Sequence, residues 1–269
     1  MQANLILAVI CLIAVLIFLY PAWRKRWLLS KPFPAEWLAI INNKLPFYPR
    51  LQPAEQQQLR DMIRLFLDQK TFHGCGGLTI TDEIRLTIAA EACLLLLNRK
   101  TDIYPRLQHI LVYPYAFRAA QHQHNPDGTV SIANRDMLGE SWHYGKVILS
   151  WDDVQHGVAD FSDGHNVVLH EFSHQLDSEN GAPNGAPILR RNSLQVWATV
   201  LTKEFEALTE AAYHRQETVM DPYGATNPAE FFAVATETFF EKPAALEQSH
   251  PALFAELSKY YGVNPRHWQ

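Results

Sequence analysis

The sequence predicts an α+β protein that is mostly helical, with a small mixed sheet and one N-terminal transmembrane helix. Apolar residues recur at helical spacing near both ends of the 269-residue chain, whereas β-type alternation is confined to the middle. Helices and strands that are segregated in this way favour α+β over a doubly wound sheet. The three cysteines form no CxxC pair, which indicates a reducing compartment. The net charge of -5 gives no reason to expect a nucleic-acid partner.

The first predicted element is an apolar run without a charge, residues 5–23, which Arg24, Lys25 and Arg26 follow at once. Its length is close to that needed to cross a bilayer core of about 30 Å at roughly 1.5 Å per residue. Because the basic residues follow the run and none precedes it, the pattern favours a membrane helix over a secretory signal and puts the rest of the chain in the cytoplasm. We therefore expect residues 1–27 to form a membrane anchor with a basic flank. A buried core helix is the alternative.

The next segment, residues 28–50, is rich in proline and is predicted as a linker with one short helix around residues 36–43. The remainder, 51–269, is predicted as one domain, because its length and composition are those of a single globular unit. Its first part should hold two helices, over 52–70 and 82–97, with the glycine-rich stretch FHGCGGLTIT between them.

The glycine-rich stretch is followed by a possible short strand, and the clearest strands are predicted in the middle of the domain. HILVYPYAF (109–117), TVSIA (129–133) and KVILSW (146–151) are typical of strands, and the glycines between the last two suggest a meander. KVILSW could be an edge strand that binds an extended peptide, or an internal strand, and the sequence leaves both open. The rest of the chain is predicted to be helical over 164–177, 192–214, 228–241 and 250–261.

The main functional signal is HEFSH, residues 170–174. Positions four apart lie on one face of a helix, so His170 and His174 can present two imidazoles to one zinc ion. Glu171 can accept a proton from a water molecule that the metal activates, and can pass it to a leaving amine. This is the H-E-x-x-H pattern of zinc metalloproteases, and a chain of this composition would contain about 0.03 such matches by chance. The alternative is a pair of histidines that only caps or packs the helix.

A zinc site of this kind needs a third protein ligand. Asp177 and Asn180 stand where the metzincin pattern requires glycine and histidine, so a more distant acidic residue is the alternative. Asn227 and Pro228 mark a helix start. Glu230 in the first turn of that helix is the candidate, although the helix dipole by itself also favours an acidic residue there.

Two further acidic residues, Glu237 and Asp177, have open roles. Glu237 lies within an apolar helix and Asp177 follows the HEFSH motif, so each could hold a zinc-binding histidine by a hydrogen bond or could be exposed. The stretch 178–190, which is rich in Gly, Asn and Pro, could cover the cleft. Weaker candidates for metal ligands are the loop histidines His122, His124 and His165.

At this level of detail the chain resembles a known family. HEFSHQLD, together with Tyr223 seven residues before Glu230 in YGATNPAEFFAVATETFF, is similar to the MtfA-like zinc peptidases, which are bacterial glucose-regulated metallopeptidases. The resemblance extends to LVYPYAF (111–117) and GKVILSWDDV (145–154) and covers most of residues 50–265. The spacing of Tyr and Glu is also similar to that in the catalytic domain of anthrax lethal factor, which implies a zincin-like fold.

The resemblance implies a zinc metallopeptidase of the HExxH-plus-glutamate type that cleaves a peptide or protein substrate. His170, His174 and Glu230 would be the ligands of one Zn2+ ion. Glu171 would be the general base, and Tyr223 would donate a hydrogen bond to the oxyanion.

The apolar N-terminus adds a location to this expectation, namely a single-pass protein of the bacterial inner membrane with a cytoplasmic catalytic domain. The best-known member of the family is soluble and binds the glucose repressor Mlc, so the resemblance also implies a transcription repressor as a partner. The alternative function is a membrane-tethered regulatory protein that sequesters a transcription regulator of sugar uptake and uses zinc structurally. A hydrolase of non-peptide amides is a third.

Overall fold

The computed structural model describes residues 19–268, except 100, 116–117, 125–129, 137–144, 182 and 190–192. Of residues 118–124 and 130–136 it describes the backbone alone. The helices in the described part are α1 (residues 19–30), α2 (Ala35–Lys44), α3 (Pro53–Gln69), α4 (Asp82–Leu94), α5 (Trp151–Ala159), α6 (Val167–Asp177), α7 (Leu194–Tyr213), α8 (Pro228–Glu241), α9 (Pro243–Ser249) and α10 (Pro251–Tyr261). The strands are β1 (Thr71–Gly74), β2 (His109–Tyr113), β3 (Arg118–His124), β4 (Val130–Asp136) and β5 (Lys146–Ser150).

The structure covers only the end of the predicted membrane span. Residues 5–18 of that span lie outside the described residues, and residues 19–30 form α1. Among the residues that are described, there is no helix with both the length and the apolar character needed to cross a bilayer. The transmembrane helix therefore stays a prediction.

The helices follow the apolar periodicity of the sequence. α8 has the predicted bounds, 228–241, and α6 begins three residues later than predicted. The start of α6 is fixed by Asn166, whose side-chain oxygen accepts hydrogen bonds from the N–H groups of Val168 and Leu169 at 3.1 and 3.0 Å. α5 was not predicted, because Ser150 both ends β5 and caps the helix that follows, so no loop residues mark the boundary.

The sheet differs from the predicted mixed meander. β1, β2 and β5 form a parallel three-stranded sheet in the order β1-β2-β5, in which Ile110 pairs with Phe72 on one side and Val147 on the other. β3 and β4 form a separate antiparallel pair. The predicted pairing of the strands over 129–133 and 146–151 was wrong. Alternation of apolar residues indicates a strand and its buried face, but it does not indicate which strand lies next to it. The segregation of helices and strands agrees with the predicted α+β class.

The core lies between the helices and one face of the sheet, and it includes part of the predicted linker. Ile41, Leu45 and Tyr48 are between 0% and 2% exposed, because α2 packs against α4. The proline-rich segment from residue 35 onward is therefore part of the packed domain. α8 is buried from Ala229 to Glu241 and packs against α6, which brings the two helices with candidate ligands into contact.

Candidate metal centre

Two helix segments build the centre, namely the middle of α6 and the first turn of α8. Asn227 caps α8 by accepting hydrogen bonds from the N–H groups of Ala229 and Glu230 at 2.9 and 3.1 Å. This cap fixes the first turn, so the Glu230 side chain is held beside the HEFSH face of α6. Glu230 is 8% exposed and His174 is fully buried, which leaves the donor atoms almost completely enclosed by protein.

Three donor atoms converge in this enclosure. His170 Nε2 lies 3.2 Å from His174 Nε2 and 3.0 Å from Glu230 Oε2, and His174 Nε2 lies 3.4 Å from Glu230 Oε2. Ligands at about 2.0–2.1 Å from a tetrahedral zinc ion would be separated by about 3.3–3.4 Å. Two imidazole nitrogens and one carboxylate oxygen are also a ligand set that zinc accepts. The three residues therefore fit a metal ion of this kind with little movement.

The electrostatics of the centre are dominated by burial and by the acidic neighbours of the histidines. Burial lowers the pKa of His170, but Glu237 and Glu230 outweigh it and raise the pKa well above its ordinary value. Burial lowers the pKa of His174. Burial would raise the pKa of Glu230, but the two histidines outweigh it and lower the pKa to about 2. The acidic neighbours thus favour positive charge in this centre, from either a proton or a cation.

Glu237 contacts the ring nitrogen of His170 that does not face Glu230. Its Oε1 atom lies 2.7 Å from His170 Nδ1, and its Oε2 atom accepts a hydrogen bond from the backbone N–H of Asn166 at 2.6 Å. The Asn166 side chain donates in turn to the fully buried Glu91 of α4 at 2.7 Å. Of the two roles left open for Glu237, the structure therefore has the buried one, in which it orients an imidazole. Asn166 and Glu91 were not predicted.

Asp177 has a different partner from the one that sequence reasoning considered. Its carboxylate is fully buried and accepts a hydrogen bond from the Gly185 N–H at 2.7 Å. Burial raises the pKa of Asp177 to about 6, while the backbone N–H groups of 184–186 lower it. The carboxylate thus binds a loop segment.

Glu171 and Tyr223 both lie near His170. Glu171 follows His170 on α6 and is 2% exposed. Tyr223 lies in the short 3-10 helix Pro222–Ala225, is 55% exposed, and has its ring centre 6.1 Å from that of His170. The site thus combines a buried acid next to the donor atoms with an exposed phenol at their rim.

Of the weaker candidate histidines, the structure describes the side chain of His165, which does not join the group. His165 Nε2 lies 3.7 Å from an Asp221 carboxylate oxygen, outside the metal-binding triad. The side chains of His122 and His124 lie outside what the structure describes. Within the described strands, β5 is at the edge of the parallel sheet, which is the position that the sequence left open for KVILSW.

Comparison with known proteins agrees with this geometry. Residues 20–262 match the family described as glucose-regulated metallo-peptidase M90. An uncharacterized protein of Synechocystis sp. is 46% identical over 272 residues, which cover 98% of each chain. Mlc titration factor A of Yersinia pestis (strain Pestoides F) is 31% identical over 245 residues, or 89% of each chain. The match spans both α6 and α8, and the chain therefore belongs to the family of glucose-regulated M90 metallopeptidases.

Proposed function

We propose that the protein is a zinc-dependent metallopeptidase that hydrolyses peptide bonds. The observation that carries this proposal is the convergence of His170, His174 and Glu230 beside Glu171. A purely structural zinc site has no use for a non-ligand glutamate at the second position of HEFSH, whereas hydrolysis requires a proton acceptor there. Membership of a metallopeptidase family supports the same conclusion.

Each residue has a role that its position allows. His170, His174 and Glu230 would hold zinc, which when bound supplies Lewis acidity and lowers the pKa of a water molecule to about 7. Glu171 accepts the proton of the attacking water and passes it to the leaving amine. Tyr223, at the rim, donates a hydrogen bond to the carbonyl oxygen as its negative charge develops.

The substrate would be an extended peptide that binds beside β5. A strand at the edge of a sheet presents backbone N–H and C=O groups that can pair with another chain. β5 also leads directly into α5, and both pack against α6. Backbone pairing at β5 would therefore bring a peptide near the HEFSH helix, as in a zincin-like fold.

The proposed location is the bacterial inner membrane, with the peptidase domain in the cytoplasm. The support is the uncharged apolar run of residues 5–23 and the basic cluster after it. A regulatory binding function is the second candidate, and the relatives named Mlc titration factor A favour it. In that case the protein would bind a transcription regulator at the membrane.

The test compares the wild-type chain with Glu171→Gln in detergent, using a mixed peptide library and zinc analysis of both proteins. We expect about one zinc per chain in both, and cleavage that is about 10²–10⁴-fold slower in Glu171→Gln because the proton acceptor is lost. Wild-type protein that binds zinc but cleaves nothing would instead favour the regulatory function. Equal cleavage by both proteins would remove Glu171 from the mechanism.

A further inference from the structure

A short loop segment, residues 184–186, is hydrogen-bonded to the end of the HEFSH helix and to α7. Asp177, the last residue of α6, accepts a hydrogen bond from the Gly185 N–H at 2.7 Å. The Trp197 indole of α7 donates to the Gly185 carbonyl at 3.0 Å. The Asn180 side chain donates to the Ala186 carbonyl at 2.7 Å. Both polar groups of the Gly185 backbone are therefore bound by buried side chains, which hold the segment in one position.

The other side of this segment touches the start of α8. Gly185 has φ of +76°, and a Cβ atom built on it would lie 2.5 Å from the Pro228 carbonyl oxygen and 3.1 Å from the Pro228 carbonyl carbon. A contact of 2.5 Å is shorter than van der Waals packing allows, so the backbone approach at this point requires glycine. Pro228 is the first residue of α8, and Glu230 follows in the same turn.

We propose that residues 184–186 are a brace that positions Glu230 relative to His170 and His174, with Asp177 and Gly185 as positioning residues. The brace is hydrogen-bonded to α6 through Asp177 and lies in close contact with the first residue of α8. It therefore sets the distance between the two helix segments that carry the donor atoms. This inference rests on the proposed metal site. The sequence suggested the 178–190 stretch as a cover for the cleft. In this inference, part of that stretch instead packs between α6 and α8.

The geometry explains why the brace matters for one donor atom in particular. His170 and His174 share one helix, so the local backbone sets the 3.2 Å between their Nε2 atoms. Glu230 comes from a different helix, and only tertiary contacts set its separation from them. A displacement of Pro228 by a few tenths of an ångström would carry the first turn of α8, and Glu230 with it, away from the histidines.

A pair of glycines provides a matched test. Gly77, in the turn after β1, has φ of +82°, close to the +76° of Gly185, but a Cβ atom on it would meet nothing within 4 Å. Gly77→Ala and Gly185→Ala therefore carry a similar backbone strain of alanine at positive φ, and only Gly185→Ala also pushes against Pro228. The difference between them isolates the contact with α8.

The experiment measures the zinc dissociation constants of the full-length wild type, Gly77→Ala and Gly185→Ala by chelator competition. The absorption spectrum of each protein loaded with Co2+ reports the ligand geometry. We expect Gly185→Ala to bind zinc about 10–100-fold more weakly than Gly77→Ala, with a changed Co2+ spectrum. Gly77→Ala should keep the wild-type spectrum.

Asp177→Asn is the second variant, in case Gly185→Ala does not fold. The amide keeps the shape of the carboxylate but loses its charge and one of its two acceptor oxygens, which weakens the hydrogen bonds to the backbone N–H groups of the brace, so we expect weaker zinc binding here too. Equal zinc affinity and equal Co2+ spectra in a folded Gly185→Ala, or in Asp177→Asn, and in the wild type would overturn the brace. A wild type that binds zinc without cleaving peptides would overturn the proposed function alone, and a wild type without metal would overturn both.

Discussion

Tyr223 differs from the other proposed site residues in its exposure, since more than half of its side chain is accessible. Tyr223→Phe keeps the ring beside His170 and removes only the hydroxyl group. We expect kcat for peptide cleavage to fall about 10²–10³-fold, because the developing oxyanion loses one hydrogen-bond donor. Zinc content and KM should stay close to the wild-type values, since neither the ligands nor the peptide-binding edge changes.

The matched control is Tyr213→Phe, which removes a hydroxyl group from another exposed tyrosine at the end of α7. Steady-state kinetics on one cleaved peptide would compare the three proteins. An unchanged kcat in Tyr223→Phe would show that the phenol takes no part in the reaction.

Residues of the candidate site differ in how far the sequence alone could predict them. His170, Glu171 and His174 lie on one helix, so helical spacing is sufficient to place them together. Glu230 could be proposed because a helix start precedes it, but its contact with the histidines depends on the packing of α8 against α6. Asn166 could have been predicted as a cap, whereas nothing in its neighbourhood in the sequence points to Glu91. Roles of that kind depend on contacts between distant segments.

At the scale of elements, two helices, α4 and α8, bring acidic groups to the start of α6. Glu91 of α4 accepts a hydrogen bond from the Asn166 side chain at 2.7 Å, and Glu241 of α8 accepts one from the Gly164 N–H at 2.9 Å. Burial raises the pKa of Glu91 to about 8 and that of Glu241 to about 9. Both carboxyl groups are therefore protonated in the folded protein at a pH at which the unfolded chain has lost those protons.

Linkage gives the direction of the pH dependence. Between the ordinary value of 4.5 and about 8, the folded protein holds a proton on Glu91 that the unfolded chain has released. The free energy of unfolding therefore falls as the pH rises through this window, and the contribution of Glu91 is lost above it. Glu91→Gln keeps an acceptor for Asn166 and cannot ionise, so we expect it to lose less stability than the wild type between pH 5 and pH 9.

Urea unfolding of the metal-free proteins at both pH values would measure this difference. Glu36→Gln is the control, because Glu36 is exposed on α2 and its substitution should leave the pH dependence as in the wild type. A pH dependence that Glu91→Gln does not reduce would contradict the assignment of a buried, protonated acid.

The elements also show where pattern-based prediction ends. The helices that frame the site were predicted well because apolar residues at helical spacing define both an element and its buried face. The strand over KVILS was predicted, but its parallel pairing with β2 was not, since the partner lies across a long connection. α5 was missed because Ser150 joins it to β5 without an intervening turn. The partner of a strand, and the point at which a strand turns into a helix, depend on tertiary contacts that a local sequence pattern does not contain.

At the scale of the whole molecule, α1 connects the predicted membrane span to the rest of the domain. Arg24 forms a two-pronged ion pair with Asp68 of α3, at 3.0 and 2.5 Å, and the Arg64 guanidinium donates to the Leu28 carbonyl at 3.2 Å. α1 is therefore fixed to the domain. A membrane span over residues 5–23 would continue into this helix and hold the candidate metal centre at a defined height above the bilayer.

The outer face of α1 has the composition of a membrane interface. Its exposed apolar side chains are 46–61% accessible, namely Leu19, Tyr20, Trp23 and Trp27. The indole rings of Trp23 and Trp27 stack with their centres 6.5 Å apart, and Lys25 and Arg26 lie between them in the sequence. Aromatic and basic residues of this kind favour the headgroup region.

Lipid contact at this face can be tested with the full-length chain reconstituted in vesicles that contain brominated lipid, which quenches nearby tryptophan fluorescence. We expect quenching in the wild type and in Trp268→Phe, because Trp268 is buried near the C-terminus and its loss leaves α1 unchanged. The double variant Trp23→Phe/Trp27→Phe should lose most of the quenching, since its remaining tryptophans belong to the domain. If quenching persists in the double variant, the bilayer lies against another face, and α1 does not set the height of the candidate metal centre.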